Sequence, residues 1–170
     1  MALLIRMLVL GLAVSVGSTV ASLQPASAAA GLPPALSALV GTWSCTYTGP
    51  KGTSKSTYTI SKLNDLWIGG TGESSASPGR PANTSFFSFG YDPKKHVFIT
   101  LGGSSIPGDY GASTADAAEG AMTMTYTASW PADPSHERDV WHITASAISI
   151  ASSWTEKGKP MSGKGSCTKQ

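Results

Sequence analysis

Three histidines, two cysteines and ten carboxylates are the side chains of this sequence with the most obvious chemistry. Nucleophilic catalysis needs a Ser or Cys beside a base that is itself held in place. Serine is plentiful, yet no Gly-x-Ser-x-Gly elbow occurs, and Ser104-Ser105 and Ser152-Ser153 stand in ordinary strand or loop contexts. A metal centre needs convergent His, Cys or carboxylate ligands. His136, Glu137 and Asp139 are close in sequence, but they follow Asp133-Pro134 and read as a solvated turn. No two of His96, His136 and His142 have the i, i+2 spacing that puts side chains on one face of a strand. Asp109, Asp116 and Glu119 read as loop acids, not as a pair facing each other across a cleft. Gly69-Gly70 and Gly102-Gly103 lack the following helix that would cradle a phosphate. The expectation is a protein with no catalytic constellation, no metal and no cofactor.

Cys45 and Cys167 form an even pair, too few to hold a metal unaided. In an oxidising compartment such a pair reads as a disulfide joining the first strand to the last. Two free buried thiols are the alternative. The large apolar side chains are the other candidates for function. Met122, Met124, Tyr126 and Trp130, with Phe87, Phe89, Trp141 and Ile143, can line a pocket for one small apolar molecule. The same residues can equally fill a solid core.

Strands must position all of these. The clearest is 121 to 130, where Met122, Met124, Tyr126, Ala128 and Trp130 alternate with Thr and Ser. In 139 to 145, Trp141, Ile143 and Ala145 oppose Val140, His142 and Thr144, which turns His142 towards water. In 148 to 154 the parity changes, so a turn or bulge belongs between Ala147 and Ile148. Weaker strands are expected at 41 to 48 (Trp43, Cys45 and Tyr47 on one face), 55 to 62, 66 to 72, 84 to 91, 95 to 102 (Val97, Ile99 and Leu101 on one face) and 161 to 168. Turn signals such as Gly49-Pro50, Asn64-Asp65, Asp92-Pro93 and Lys157-Gly158 separate them. Residues 102 to 111 read as a glycine-rich loop that can act as a lid. Many short strands with short links predict an all-β fold, an antiparallel up-and-down (meander) barrel of about eight to ten strands.

The N-terminus has another character. Arg6, an apolar run through Val14 and the small residues Ala26-Ser27-Ala28 have the form of a signal peptide. The expected division is a signal peptide over 1–28, a flexible lead-in over 29–38 and one barrel domain over 39–170. Within the lead-in, one helical turn is expected, with Leu36, Leu39 and Val40 able to plug a barrel end. A secreted or periplasmic protein follows, with no membrane anchor after cleavage. Charged residues make up 13% of the chain, and without Arg6 the balance is eleven basic to ten acidic side chains. That near-neutral balance supplies no electrostatic reason to bind nucleic acid or an anionic membrane.

Gly41-Thr42-Trp43 at the head of the first strand resembles the opening of lipocalin-like (calycin) barrels. Phe89-Gly90-Tyr91-Asp92, then Val97, Ile99 and Gly103, then Glu119-Gly120, add to the likeness. Together they resemble a family of bacterial calycin-type proteins of unassigned function, over most of residues 39 to 168. The resemblance implies a lipocalin-like up-and-down barrel and no reaction. It also implies that Trp43 closes one barrel end under a basic side chain from a late strand, with Arg138 the candidate. Haem-binding barrels of the nitrobindin type are similar too and use a late-strand His as axial ligand, a role for which His142 is the candidate here. Their opening Gly-x-Trp-x-Gly-x-Gly is not met, because Cys45 and Tyr47 replace the later glycines. Three functional expectations therefore stand. They are an exported barrel binding a small apolar molecule, a structural or interaction module with a packed core, and a haem barrel using His142.

Overall fold

The computed structural model describes residues 32–130 and 135–170, with the side chains of residues 128–130 outside the description. The expected signal peptide lies outside the described residues, as does the side chain of Trp130. A short helix, α1 (Pro34–Leu39), precedes ten strands. These are β1 (Gly41–Gly49), β2 (Gly52–Lys62), β3 (Trp67–Ser74), β4 (Asn83–Asp92), β5 (Val97–Ser104), β6 (Tyr110–Asp116), β7 (Thr123–Trp130), β8 (Arg138–Ile143), β9 (Ala147–Glu156) and β10 (Lys159–Lys169). Each strand pairs antiparallel with the next, and β1 pairs with β10, so the sheet closes into a barrel. Closure leaves no open sheet edge, and the short links are what a meander requires.

The closing seam carries a covalent tie. Cys45 and Cys167 lie opposite each other in the β1–β10 register and are joined as a disulfide 122 residues apart in sequence. Such a bond is consistent with an oxidising, extracellular or periplasmic setting. Between β9 and β10, Lys157 and Gly158 both take positive φ, at 51° and 76°, the conformation a tight two-residue hairpin demands.

One end of the barrel is plugged. Pro34 starts α1 where its missing N–H costs nothing. Ala35, Leu36 and Leu39 of this helix are buried, so the segment expected as a lead-in reaches into the core. The Trp43 indole N–H donates to the Leu39 carbonyl at 2.7 Å. The Lys169 ammonium lies 5.3 Å from the Trp43 ring and donates to the Ala38 carbonyl at 3.1 Å. Lys169, not Arg138, is therefore the cation at this end. Arg138 begins β8, an even-numbered strand, and a meander that starts β1 at the plugged end starts every even strand at the other. Gly41 admits the lysine: at φ 134°, a Cβ there would sit 2.6 Å from Lys169 Cε.

Two further expectations are corrected. In β5 it is Phe98 that is fully buried, while Leu101 is 43% exposed, so the inward face is the opposite of the one expected. Residues 102 to 111 are no free lid: they include the end of β5 and the start of β6, paired as Gly102↔Gly111 and Gly103↔Tyr110. β6 itself escaped the sequence reading, since of Tyr110–Asp116 only Ala115 is buried.

Candidate functional site

Above the plug, the inward side chains do not fill the barrel. A cavity of about 360 Å³ remains, floored by Leu39 and Trp43 and walled by Tyr58, Ile60, Phe87, Phe89, Trp141, Ile148 and Ile150. It meets a wider vestibule of about 800 Å³, formed by the β1–β2, β3–β4 and β5–β6 loops with Tyr47, Trp154, Ser135 and Glu137. Cys45, Cys167, Tyr58 and Ile150 line both, so the two spaces are continuous past the disulfide.

An unbroken run of aromatic rings makes up much of the wall and continues from it into the core. Tyr58 meets Phe87 at 5.6 Å between centroids, Phe87 meets Phe89 at 5.4 Å, Phe89 meets Trp141 at 5.5 Å, and Trp141 meets Tyr126 at 5.6 Å. Edge-on and tilted packing of this kind is favourable between rings and holds each in place. At the mouth, Arg80 from the β3–β4 loop donates to Asp109 from the β5–β6 loop at 2.8 Å. The Ser104 hydroxyl donates to the same carboxylate oxygen at 2.5 Å. Arg80 and Asp109 touch both the cavity and the vestibule.

Of the residues expected to line a pocket, Phe87, Phe89 and Trp141 do so. Met124, Tyr126 and Ile143 are buried in the core behind that wall, and Met122 packs against the core from a partly buried position. The Tyr126 hydroxyl donates to the Met124 sulfur at 3.5 Å. Burial pushes the Tyr126 phenol up to about 12. Trp130 lies outside the described side chains.

His142 is exposed, and its ring Nδ1 lies 3.0 Å from the Thr123 hydroxyl on the outer face. Its neighbours Trp141 and Ile143 point inward, so a haem inside this barrel has no His142 to bind. Among the described residues, no group of three or more His, Cys, Asp or Glu side chains is arranged to hold a metal ion. Asp139, read both as an acid of the solvated turn with His136 and Glu137 and as the first residue of the strand at 139 to 145, belongs to β8.

Asp139 has more to it. It shares the inward face of β8 with Trp141, opposite Tyr126 of β7 and Ser152 of β9. Its Oδ1 is buried with no hydrogen-bond partner among the described residues, and so is the Trp141 indole nitrogen. The nearby Tyr47 phenol is raised above its ordinary value, first by burial and then by the charges of Asp139 and Glu137, while a hydrogen bond with Ser152 lowers it. Sequence reasoning missed Tyr58, Ile148, Ile150 and the Arg80–Asp109 pair as parts of the site. Ile148 and Ile150 were the findable ones, since they share one face of the strand expected at 148 to 154.

The fold and site together define a ten-stranded antiparallel barrel, plugged at one end and opening through a polar vestibule into an aromatic cavity at the other. No protein-family model and no curated protein matches the chain. Solved structures do resemble it. Rv2717c from M. tuberculosis is 14% identical, with a TM-score of 0.59 over 82% of this chain and 99% of that one. The S-type phycobiliprotein lyase CPES from Guillardia theta is 14% identical, with a TM-score of 0.53 over 79% of this chain and 90% of that one. EF1p2_mFAP2b, solved bound to DFHBI, is 11% identical, with a TM-score of 0.50 over 82% of this chain and 99% of that one. At these identities the likeness is one of fold.

Proposed function

We propose that this protein is an exported, lipocalin-like binding protein that takes one small, largely apolar molecule into its barrel. The observation that carries the proposal is the cavity of about 360 Å³ with its aromatic wall. Its size falls within the roughly 300–1,000 Å³ of small-molecule sites. A barrel evolved only for packing would fill that space, because interiors normally approach crystal density. The disulfide supports export, as does the signal-like segment at 1–28, and the motif Gly41-Thr42-Trp43 supports the lipocalin-like reading. That a barrel of similar fold was solved holding DFHBI supports an interior site in general.

Native mass spectrometry of the protein purified from its own host tests this reading, with an absorbance scan of the same sample. The expected result is a stoichiometric extra mass that leaves on denaturation. Protein that carries no extra mass, and takes up none when exposed to an extract of small molecules from its host, contradicts it.

A second reading has one observation in its favour. Phe86 is 64% exposed, Leu101 43% and Tyr110 55%, on the neighbouring strands β4, β5 and β6, and Phe86 and Tyr110 also reach the rim of the cavity. Clustered exposed apolar side chains mark docking surfaces. An interaction module would use that cluster and leave the cavity empty.

A further inference from the structure

We propose that the molecule taken into the barrel carries a positively charged amine on its aromatic or apolar body, and that the Asp139 carboxylate selects it. This rests on the interior being a binding site, as argued above, and adds the chemistry of the ligand.

The argument starts from cost. A carboxylate oxygen buried without a partner is expensive, since neither water nor a donor replaces its lost hydration. Asp139 Oδ1 is in that state among the described residues. Elements that break a local rule of stability are where function is expected. The charge is not balanced from within the lining. Its two cations are Lys51 and Arg80, and each already faces another acid: Lys51 lies 3.5 Å from Glu156 and Arg80 2.8 Å from Asp109. Asp139 is thus an additional negative charge on the inward face of β8, close enough to the Tyr47 phenol at the vestibule to raise it.

The wall suits the same ligand. The faces of Trp, Tyr and Phe rings attract cations, most strongly where water is excluded. Trp141 brings such a ring into the cavity two residues from Asp139 on one strand face. In an interior of low dielectric the carboxylate acts through space and need not touch the amine. A carboxylic acid of the same shape would meet repulsion from Asp139. A neutral alcohol would keep the apolar contacts alone.

Three probes with one ring system separate these cases: 1-naphthylmethylamine, 1-naphthalenemethanol and 1-naphthoate. Their dissociation constants are measured by calorimetry near neutral pH on the full-length protein and on Asp139→Asn. The expected order is amine tightest, by about fivefold or more over the alcohol, with the acid weakest. Asp139→Asn should bring the amine to within about twofold of the alcohol, leaving the alcohol unchanged. Its melting temperature without ligand should be equal to or above that of the wild type, where a merely structural carboxylate would lower it. Alcohol binding with no preference for the amine, or a preference that survives Asp139→Asn, overturns the inference and leaves the cavity site standing. If none of the three binds, the cavity reading falls and this inference with it. If Asp139→Asn does not fold, the order of the wild-type affinities decides alone.

Discussion

Tyr126 shows how the interior alters a single side chain. Its phenol is sealed behind the cavity wall and titrates near 12 instead of 10.0. The folded protein therefore holds that proton when the unfolded chain has begun to lose it. The linkage sign is then fixed: stability is full below pH 10 and declines as pH rises towards 12. The loss attributable to Tyr126 should reach about 2–3 kcal/mol. Denaturant unfolding of wild type and Tyr126→Phe across that range checks this. The phenylalanine variant should lose less stability, and equal losses would place the ionisation elsewhere. Asp139 was also within reach of sequence reading, since β-strand parity puts it on the face of Trp141. The proline-rich polar stretch before it suggested a loop, and that local signal outweighed the alternation.

Among the elements, α1 is the one whose role is least obvious from its size. Six residues make a marginal helix alone, so its stability comes from packing. Leu36 is fully buried at the plugged end. Leu36→Ala should cost about 2–5 kcal/mol. That corresponds to a fall of roughly 10 °C in Tm, read by thermal unfolding. A shift under about 2 °C would mean that the helix only rests on the barrel.

Nine of the ten strands were legible because each carries at least one clear apolar–polar alternation or a well-marked turn at its ends. β6 was not, because Gly, Ala, Ser and Thr give no contrast between its faces. β5 was assigned the wrong face because Val97, Ile99 and Leu101 outnumber its single buried ring, Phe98. Register with the flanking strands decides that face, and pattern within one strand does not contain it. The cation over Trp43 went astray for a related reason. The starts of odd strands and the ends of even strands share the plugged end with the start of β1, and Lys169 is at the end of β10.

For the whole molecule, closure, plug and cavity form one arrangement. The disulfide ties the seam at the level where cavity and vestibule meet. The plug seals one end, which leaves the vestibule as the route in. The barrel was legible in the sequence, as were three of the four aromatic rings of the cavity wall, Phe87, Phe89 and Trp141. Whether the interior is filled depends on how ten strands set the barrel's width, and no single segment records that.

The central claim is that a ligand sits inside this barrel. Its most direct test is a titration with N-phenyl-1-naphthylamine, a neutral probe that brightens in apolar surroundings. Wild type is compared with Ile150→Trp, which fills the space where cavity and vestibule meet. The account predicts saturable, one-to-one binding to the wild type and at least a tenfold weaker response in a folded Ile150→Trp, about 1.4 kcal/mol. Equal binding by both proteins would put the probe on the outer surface and contradict the account.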